Sequence, residues 1–318
     1  MKHSQQVLII FMVLFLVSQI IGLLIVNQGS EVIKIVNEET KEIEKTEVIF
    51  SNTTVGERPE IEGSETIITI ILGVTIGTIL LLLLSKFKKV KWWKHWFFFA
   101  TIITMSISLG VMFNHFVAWI IAIILGAWKI YKPNFLIHNF TELFVYPGIA
   151  LLLVPLLNVF YAFTLLIIVS AYDAYAVWKS KHMITMAKFA KDANLFPGLA
   201  LSYNVKTGKI NKKTETNKKS NKKIMKQTKK EIRIGILGGG DLAFPLIFAS
   251  TFLVFMLQQG YSSATAIAYS LIISGFAGAS LLLLFLYGKK DKYYPAMPFI
   301  SAGCFIGYLV AVLLINIF

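Results

Sequence analysis

Residues 232–243 run IRIGILGGGDLA, and two folds compete for them. Gly238, Gly240 and Ala243 follow a strand-like apolar run at the G-x-G-x-x-A spacing of a dinucleotide-binding turn. That motif needs a strand–turn–helix unit and an acid about 20 positions further on for the ribose. After Asp241 the next acid is Asp291, and the glycines open instead onto Leu242–Leu257, a continuous apolar run containing Pro245. The stretch therefore reads as the head of a membrane helix just inside the cytosolic face, with no nucleotide site.

The rest of the chain agrees. Its 318 residues are 56% hydrophobic and only 15% charged, against roughly 25% charged in soluble domains. Long apolar windows occur at Val7–Val26, Ile67–Leu84, Trp96–Val111, Phe116–Ile130, Leu143–Leu157, Val159–Trp178, Ile234–Leu257, Ala264–Tyr287 and Phe299–Phe318. Several reach the length of about 20 residues that spans a bilayer as a helix. The expectation is an all-α polytopic membrane protein with nine transmembrane helices. The first window follows Lys2 closely, but it is long for a signal peptide and no small-x-small site follows at Asn27–Ser30, so it reads as a retained helix. The one cysteine, Cys304, lies in the last window and permits no intrachain disulfide.

Lysines set the orientation. Asn27–Thr66 carries ten Glu against four Lys or Arg, which places it outside, whereas Ser85–His95 has five Lys and no acid. Lys129 and Lys132, Lys179 and Lys181, and Lys289, Lys290 and Lys292 recur at every second connection. An N-terminus in the cytosol and a C-terminus outside satisfy all of them. Three parts follow: residues 1–178 with six spans, a Lys-rich cytosolic loop 179–233, and residues 234–318 with three spans. The loop holds 16 Lys or Arg against Asp192, Glu215 and Glu231. Its core, Lys206–Lys230, is expected to be disordered. It lacks the interleaved aromatics of a nucleic-acid surface and suits anionic lipid headgroups instead. Within the loop, Ser180–Leu195 mixes Met, Ile and Phe with Lys, as a helix lying on the membrane surface does.

The acids are unevenly placed. Ten of the 17 sit in the outer connection, four in cytosolic ones, and Glu142 at an expected helix start. Asp173 and Asp241 remain inside apolar spans, with no Lys or Arg expected within a span to neutralise them. A carboxylate in hydrocarbon costs several kcal/mol and marks a functional site. Asp173 lies five residues before Trp178, and Asp241 seven after Ile234. At about 1.5 Å per helical residue, both sit roughly 8–10 Å from the cytosolic side. Two carboxyl groups sharing a dry site hold one proton between them, which supplies a base and an acid without a metal or cofactor. Water-mediated peptide hydrolysis is one use of such a pair. Helix-packing polar residues, or an ion- or proton-coupled transporter or cation channel, are the others. The scattered histidines form no H-E-x-x-H pair, and Ser274 and Ser301 lack a G-x-S-G context. Zinc and serine chemistry are therefore disfavoured. Asn52-Thr53-Thr54 is a glycosylation sequon in the outer connection.

Three motifs in order choose among these uses. Tyr172-Asp173, Gly238-Gly239-Gly240-Asp241 and Pro295-Ala296-Met297 resemble the YD, GxGD and PAL signatures of the presenilin and signal peptide peptidase family, with Met297 in place of the leucine. Ala243 lacks the lysine that prepilin-type peptidases carry two residues after the same aspartate. The resemblance covers nearly the whole chain. It implies an intramembrane aspartyl protease with Asp173 and Asp241 as catalytic pair, supported by Tyr172, Gly238, Gly239, Gly240, Pro295, Ala296 and Met297. Pro245 is similar to the signal peptide peptidase branch, and the cytosolic N-terminus to presenilin. Implied partners are transmembrane or signal-peptide substrates and membrane lipids, with no nucleic acid, and homo-oligomerisation is left open. The absence of a sizeable appended domain suggests the cell membrane of an archaeon. Gly238 and Gly240, lacking Cβ atoms, are expected to let backbone and substrate approach Asp241. Pro295 and Pro298 are expected to delay regular helix, leaving backbone groups to hold an extended substrate by strand addition, with Leu199–Val205 as a further strand.

Overall fold

The structure, a computed structural model, describes residues 5–36, 43–57, 64–87, 89–179, 197–206, 230–288 and 294–317. The Ser180–Leu195 segment, the core of the Lys-rich tract at 207–229 and the lysines at 289, 290 and 292 lie outside these residues.

Nine long helices occur among the described residues: α1 (Gln5–Gln28), α2 (Ser64–Lys86), α3 (Val90–Gly110), α4 (His115–Tyr131), α5 (Phe135–Leu153), α6 (Val159–Trp178), α7 (Gly239–Gln258), α8 (Ser263–Tyr287) and α9 (Met297–Ile317). Each overlaps one of the apolar windows. Seven are long and apolar enough to cross a membrane. The exceptions are α4, with only 17 residues, and α3, which takes in Lys91, Trp92, Trp93, Lys94, His95 and Trp96. Most of the expected loop Ser85–His95 is thus helical, because lysine and tryptophan at a membrane boundary extend a helix to the headgroups rather than end it. Short connections begin the next helix with a polar cap. Asn114, Asn134, Asn158 and Ser262 each accept a backbone N–H of the following turn, meeting a donor that has no partner within the helix.

The chain is not all-α. Two antiparallel hairpins interrupt it: β1 (Ser30–Val36) with β2 (Ile43–Phe50), in the acidic connection, and β3 (Gly198–Lys206) with β4 (Lys230–Gly238). The second contains the Leu199–Val205 strand expected from sequence. It also moves the start of the seventh span, because residues 234–238 are strand and α7 begins only at Gly239. Ile232, Ile234 and Ile236 alternate with Arg233 and Gly235, a period of two that β structure satisfies and a helix does not. Gly198, opposite Gly238, starts β3 at φ +130°. A Cβ there would press on the carbonyl of Leu237, so only glycine suits the position.

Helix α7 is the axis of the bundle. Buried residues make up 78% of its membrane window, and it packs against α1, α5, α6, α8 and α9. Phe248 and Phe252 on α7 meet Phe163 of α6 and Phe305 and Tyr308 of α9 in an aromatic cluster, with Phe163 and Phe305 stacked at 4.8 Å. Such ring pairs add about 0.5–1.5 kcal/mol each beyond area burial. They bind together the three helices that carry or adjoin the two aspartates. By contrast α2 packs chiefly on α3 and α6 among the described residues and has almost no buried face.

Candidate active site

Asp241 is the third residue of α7, with Gly238 as its N-cap. The helix starts later than expected, so the aspartate stands at a helix mouth rather than two turns inside. From there its carboxylate reaches back to accept the backbone N–H of Gly238, the reverse half of a capping box, in which the N3 side chain satisfies the N-cap donor. This explains the glycine before it. A Cβ on Gly238 would sit 3.1 Å from Asp241 Oδ2, tight enough that the carboxylate would have to shift by a few tenths of an ångström.

The other glycines differ. A Cβ on Gly239 would stand 3.1 Å from the Tyr146 hydroxyl and 3.3 Å from Pro197, whereas on Gly240 it would meet only Phe244 of the same helix, at 3.6 Å. Gly239 is buried and Gly240 exposed. Gly239→Ala is therefore expected to destabilise the protein by about 1–3 kcal/mol through overpacking. Gly240→Ala should leave the unfolding temperature in detergent unchanged.

Asp173 comes from the last turns of α6 and is 6% exposed, whereas Asp241 is half-buried. Asp173 Oδ2 accepts the backbone N–H of Met297 at 3.1 Å. Met297 is the first residue of α9, and its N–H has no acceptor within that helix. A carboxylate placed there also meets the positive end of the helix dipole. Pro298 falls inside the first turn of α9 rather than before it, where its missing N–H removes nothing. One turn away, Ser170 of α6 shares a 2.7 Å hydrogen bond with Ser301 of α9, so α6 and α9 are joined at two successive levels.

The two aspartates stand on helices that pack together, α6 and α7, and the charge of Asp173 acts on Asp241. The structure thus pairs Asp173 with the backbone of Met297 and Asp241 with Gly238, on two helices that pack together. Pro295 and Met297 are buried, and Ala296 is partly so. Tyr172 turns aside. It is 39% exposed, and its hydroxyl hydrogen-bonds Thr78 of α2 at 3.2 Å, as expected of a neighbour set about 100° around the helix from Asp173.

Several polar residues beside this pair escaped the sequence. The sequence pattern puts Lys129 in a connection and Glu142 at a helix start. Instead Lys129 lies within α4, Glu142 lies mid-way along α5, and they form a buried ion pair. The expectation that no cation lies within a span is therefore wrong, although this one neutralises Glu142. Tyr146 donates its hydroxyl to the other oxygen of Glu142, and Tyr146 also flanks Gly239. On the far side of α7, Gln19 of α1 donates to the carbonyl of Leu242 at 3.0 Å and accepts from Ser274 of α8 at 3.3 Å. A cation and an acid 13 residues apart in apolar surroundings, at GAWKIY and NFTELF, were the available signal for the first group.

Residues 12–317 match the protein family described as signal-peptide peptidase, presenilin aspartyl protease. No curated protein sequence matches the chain. Two solved structures of a presenilin family intramembrane aspartate protease are similar in fold. One, in space group P2, has 16% identity and a TM-score of 0.54, covering 96% of each chain. The other, in C222, has 17% identity and a TM-score of 0.56, covering 96% of this chain and 99% of its own.

Proposed function

Because the chain belongs to the signal-peptide peptidase and presenilin family of aspartyl proteases, we propose that this integral membrane protein hydrolyses peptide bonds within the transmembrane segments of membrane proteins or signal peptides, with Asp173 and Asp241 as its catalytic pair. What supports this reading is the placing of two carboxyl groups on packed helices, one held by the N-terminus of α9 and the other at the mouth of α7, with the charge of the first acting on the second.

One carboxyl group is ionised and the other protonated. The ionised group takes a proton from water as the water oxygen attacks the carbonyl carbon, while the protonated group donates to the carbonyl oxygen. The tetrahedral product then loses its C–N bond, and the amine leaves with the proton that the first group took from water. The second group regains its proton from a hydroxyl of the collapsing product, which restores both carboxyl groups. Neither step needs a metal or cofactor. A helical peptide bond is hydrogen-bonded and shielded, so the substrate must extend locally. The outer edge of β4, which pairs with no other strand among the described residues, supports strand addition leading towards Asp241. Pro295, Ala296 and Met297 line the facing wall, and Gly240 leaves room for the substrate backbone.

In the membrane we place nine spans, with a cytosolic N-terminus and an external C-terminus, as the lysine distribution requires. The cut then falls near the cytosolic end of the substrate helix. The test is incubation of the purified protein, in detergent or vesicles, with a labelled single-span substrate. Two fragments meeting at one or a few bonds within the span are expected. An intact substrate alongside folded protein would overturn the assignment.

A further inference from the structure

The hairpin beside Asp241 has two edges, and they are treated differently. On β3, Ala200 donates its N–H to Asn139 Oδ1 at 2.9 Å and accepts from Asn139 Nδ2 at 2.8 Å. The neighbour two residues earlier, Gly198, has its carbonyl 2.7 Å from His138 Nε2, and its N–H points to Glu142 Oε2 at 3.4 Å. In an antiparallel pair, one residue's N–H and C=O point to the same side, and that side alternates along the strand. Residues 198 and 200 therefore face away from β4, and all four of their outward backbone groups are engaged by side chains of α5. An asparagine amide has the same donor and acceptor as a peptide unit, so Asn139 pairs with Ala200 as a neighbouring strand would.

The register then fixes the other edge. Ala200 lies opposite Ile236, and Ser202 opposite Ile234. When 198, 200 and 202 face out on β3, their partners 238, 236 and 234 face out on β4. The N–H of Gly238 is taken by Asp241. Ile236, Ile234, Ile232 and Lys230 remain as the outward-facing positions on the open edge, and Ile236 is 43% exposed.

We propose that α5 serves as a surrogate third strand. It closes the outer edge of β3, leaves β4 as the one edge open to a peptide, and fixes the hairpin's height against α7, so that it sets which substrate bond reaches Asp241. Asn139 and Glu142 are positioning residues for the reaction, and neither touches the reacting atoms. Lys129 and Tyr146 orient Glu142 from its other sides. Tyr146 also abuts Gly239, so the group that fixes the strand fixes the start of α7 as well. This inference rests on the proteolytic role proposed above and adds to it a determinant of cleavage position.

The experiment maps the cut bonds in a single-span substrate by mass spectrometry for the full-length protein, Asn139→Ala, Asn139→Asp and, as control, Leu136→Ala. Leu136 lies on the same helix but is 78% exposed. Losing the two Asn139 bonds should lower kcat/KM about tenfold. It should also spread cleavage from the dominant bond to its neighbours. Asn139→Asp should behave like the alanine variant, because it loses the donor and sets a carboxylate against the Ala200 carbonyl. Leu136→Ala should keep the parental pattern. A purely structural role would lower the unfolding temperature without moving the cut.

Unchanged bonds and unchanged kcat/KM in folded Asn139→Ala would overturn the proposal while leaving the protease intact. If the parent protein cleaves nothing, the catalytic assignment fails instead. Amide hydrogen exchange on the parent protein tests edge closure without any variant. The N–H of Ala200 should exchange slowly and that of Ile236 rapidly, and equal rates at the two sites would overturn the proposal.

Discussion

Asp173→Asn and Asp241→Asn should each reduce cleavage of a single-span substrate by about a thousandfold or more, the loss expected when a positioned acid or base is removed. The amide has nearly the shape of the carboxyl group but cannot take or give the proton. Each substitution also keeps the local structure. An asparagine at position 173 would still offer an oxygen to the Met297 N–H, as Asp173 does now at 3.1 Å, and one at position 241 would still cap Gly238. The loss should therefore come without a fall in unfolding temperature. Because the two groups act as a unit, the double variant should be little worse than either single one. The measurement is single-turnover cleavage with fragments resolved by mass. More than a tenth of the parental rate in either variant would remove that residue from the pair.

The second large effect concerns stability. Lys129 and Glu142 are each 1% exposed and paired with one another. Lys129→Met leaves Glu142 buried without its cation, with the Tyr146 hydroxyl and the Gly198 N–H as donors and His138 Nε2 4.0 Å away. Removing one partner of such a pair costs about 3–5 kcal/mol. Replacing both, as Lys129→Met with Glu142→Leu, should recover much of that, since no uncompensated charge remains. Denaturant or thermal unfolding in micelles, run as a double-mutant cycle, checks the ordering. Equal stability of Lys129→Met and the parent would show that the pair contributes nothing. Even where the double variant is stable, it should lose cleavage precision, because Gly198 no longer meets a carboxylate.

Much of this was legible in the sequence, for a physical reason. A bilayer demands long apolar runs, and the nine helices stand where those runs do. Carboxylates inside such runs are conspicuous because they are expensive there, and so Asp173 and Asp241 stood out. The start of α7 is not legible in the same way, because Ile232–Leu237 is apolar enough for a span, and hydropathy does not distinguish a strand packed against protein from a helix in lipid. The alternation of Ile232, Ile234 and Ile236 held the answer, and Gly238 set the boundary. Lys129 and Glu142 were hidden because each lies near a window edge, where a charge normally reaches the headgroups. Their pairing is a tertiary fact that no local pattern records. Asn139 gave no signal at all, since one asparagine in an apolar helix looks like any cap or surface polar residue.

Helix α7 lies at the centre of the bundle yet comes seventh among the nine long helices described. The faces of α1, α5 and α6 that enclose it are all made before it. A growing chain must insert those helices around a gap and wait for the segment that fills it. The N–H that holds Asp173 arrives later still, at Met297. A ribosome-bound chain therefore carries one aspartate without its partner, and then both without their clamp. The pair is therefore complete only once α7 has entered the bundle, and its clamp only once α9 has begun.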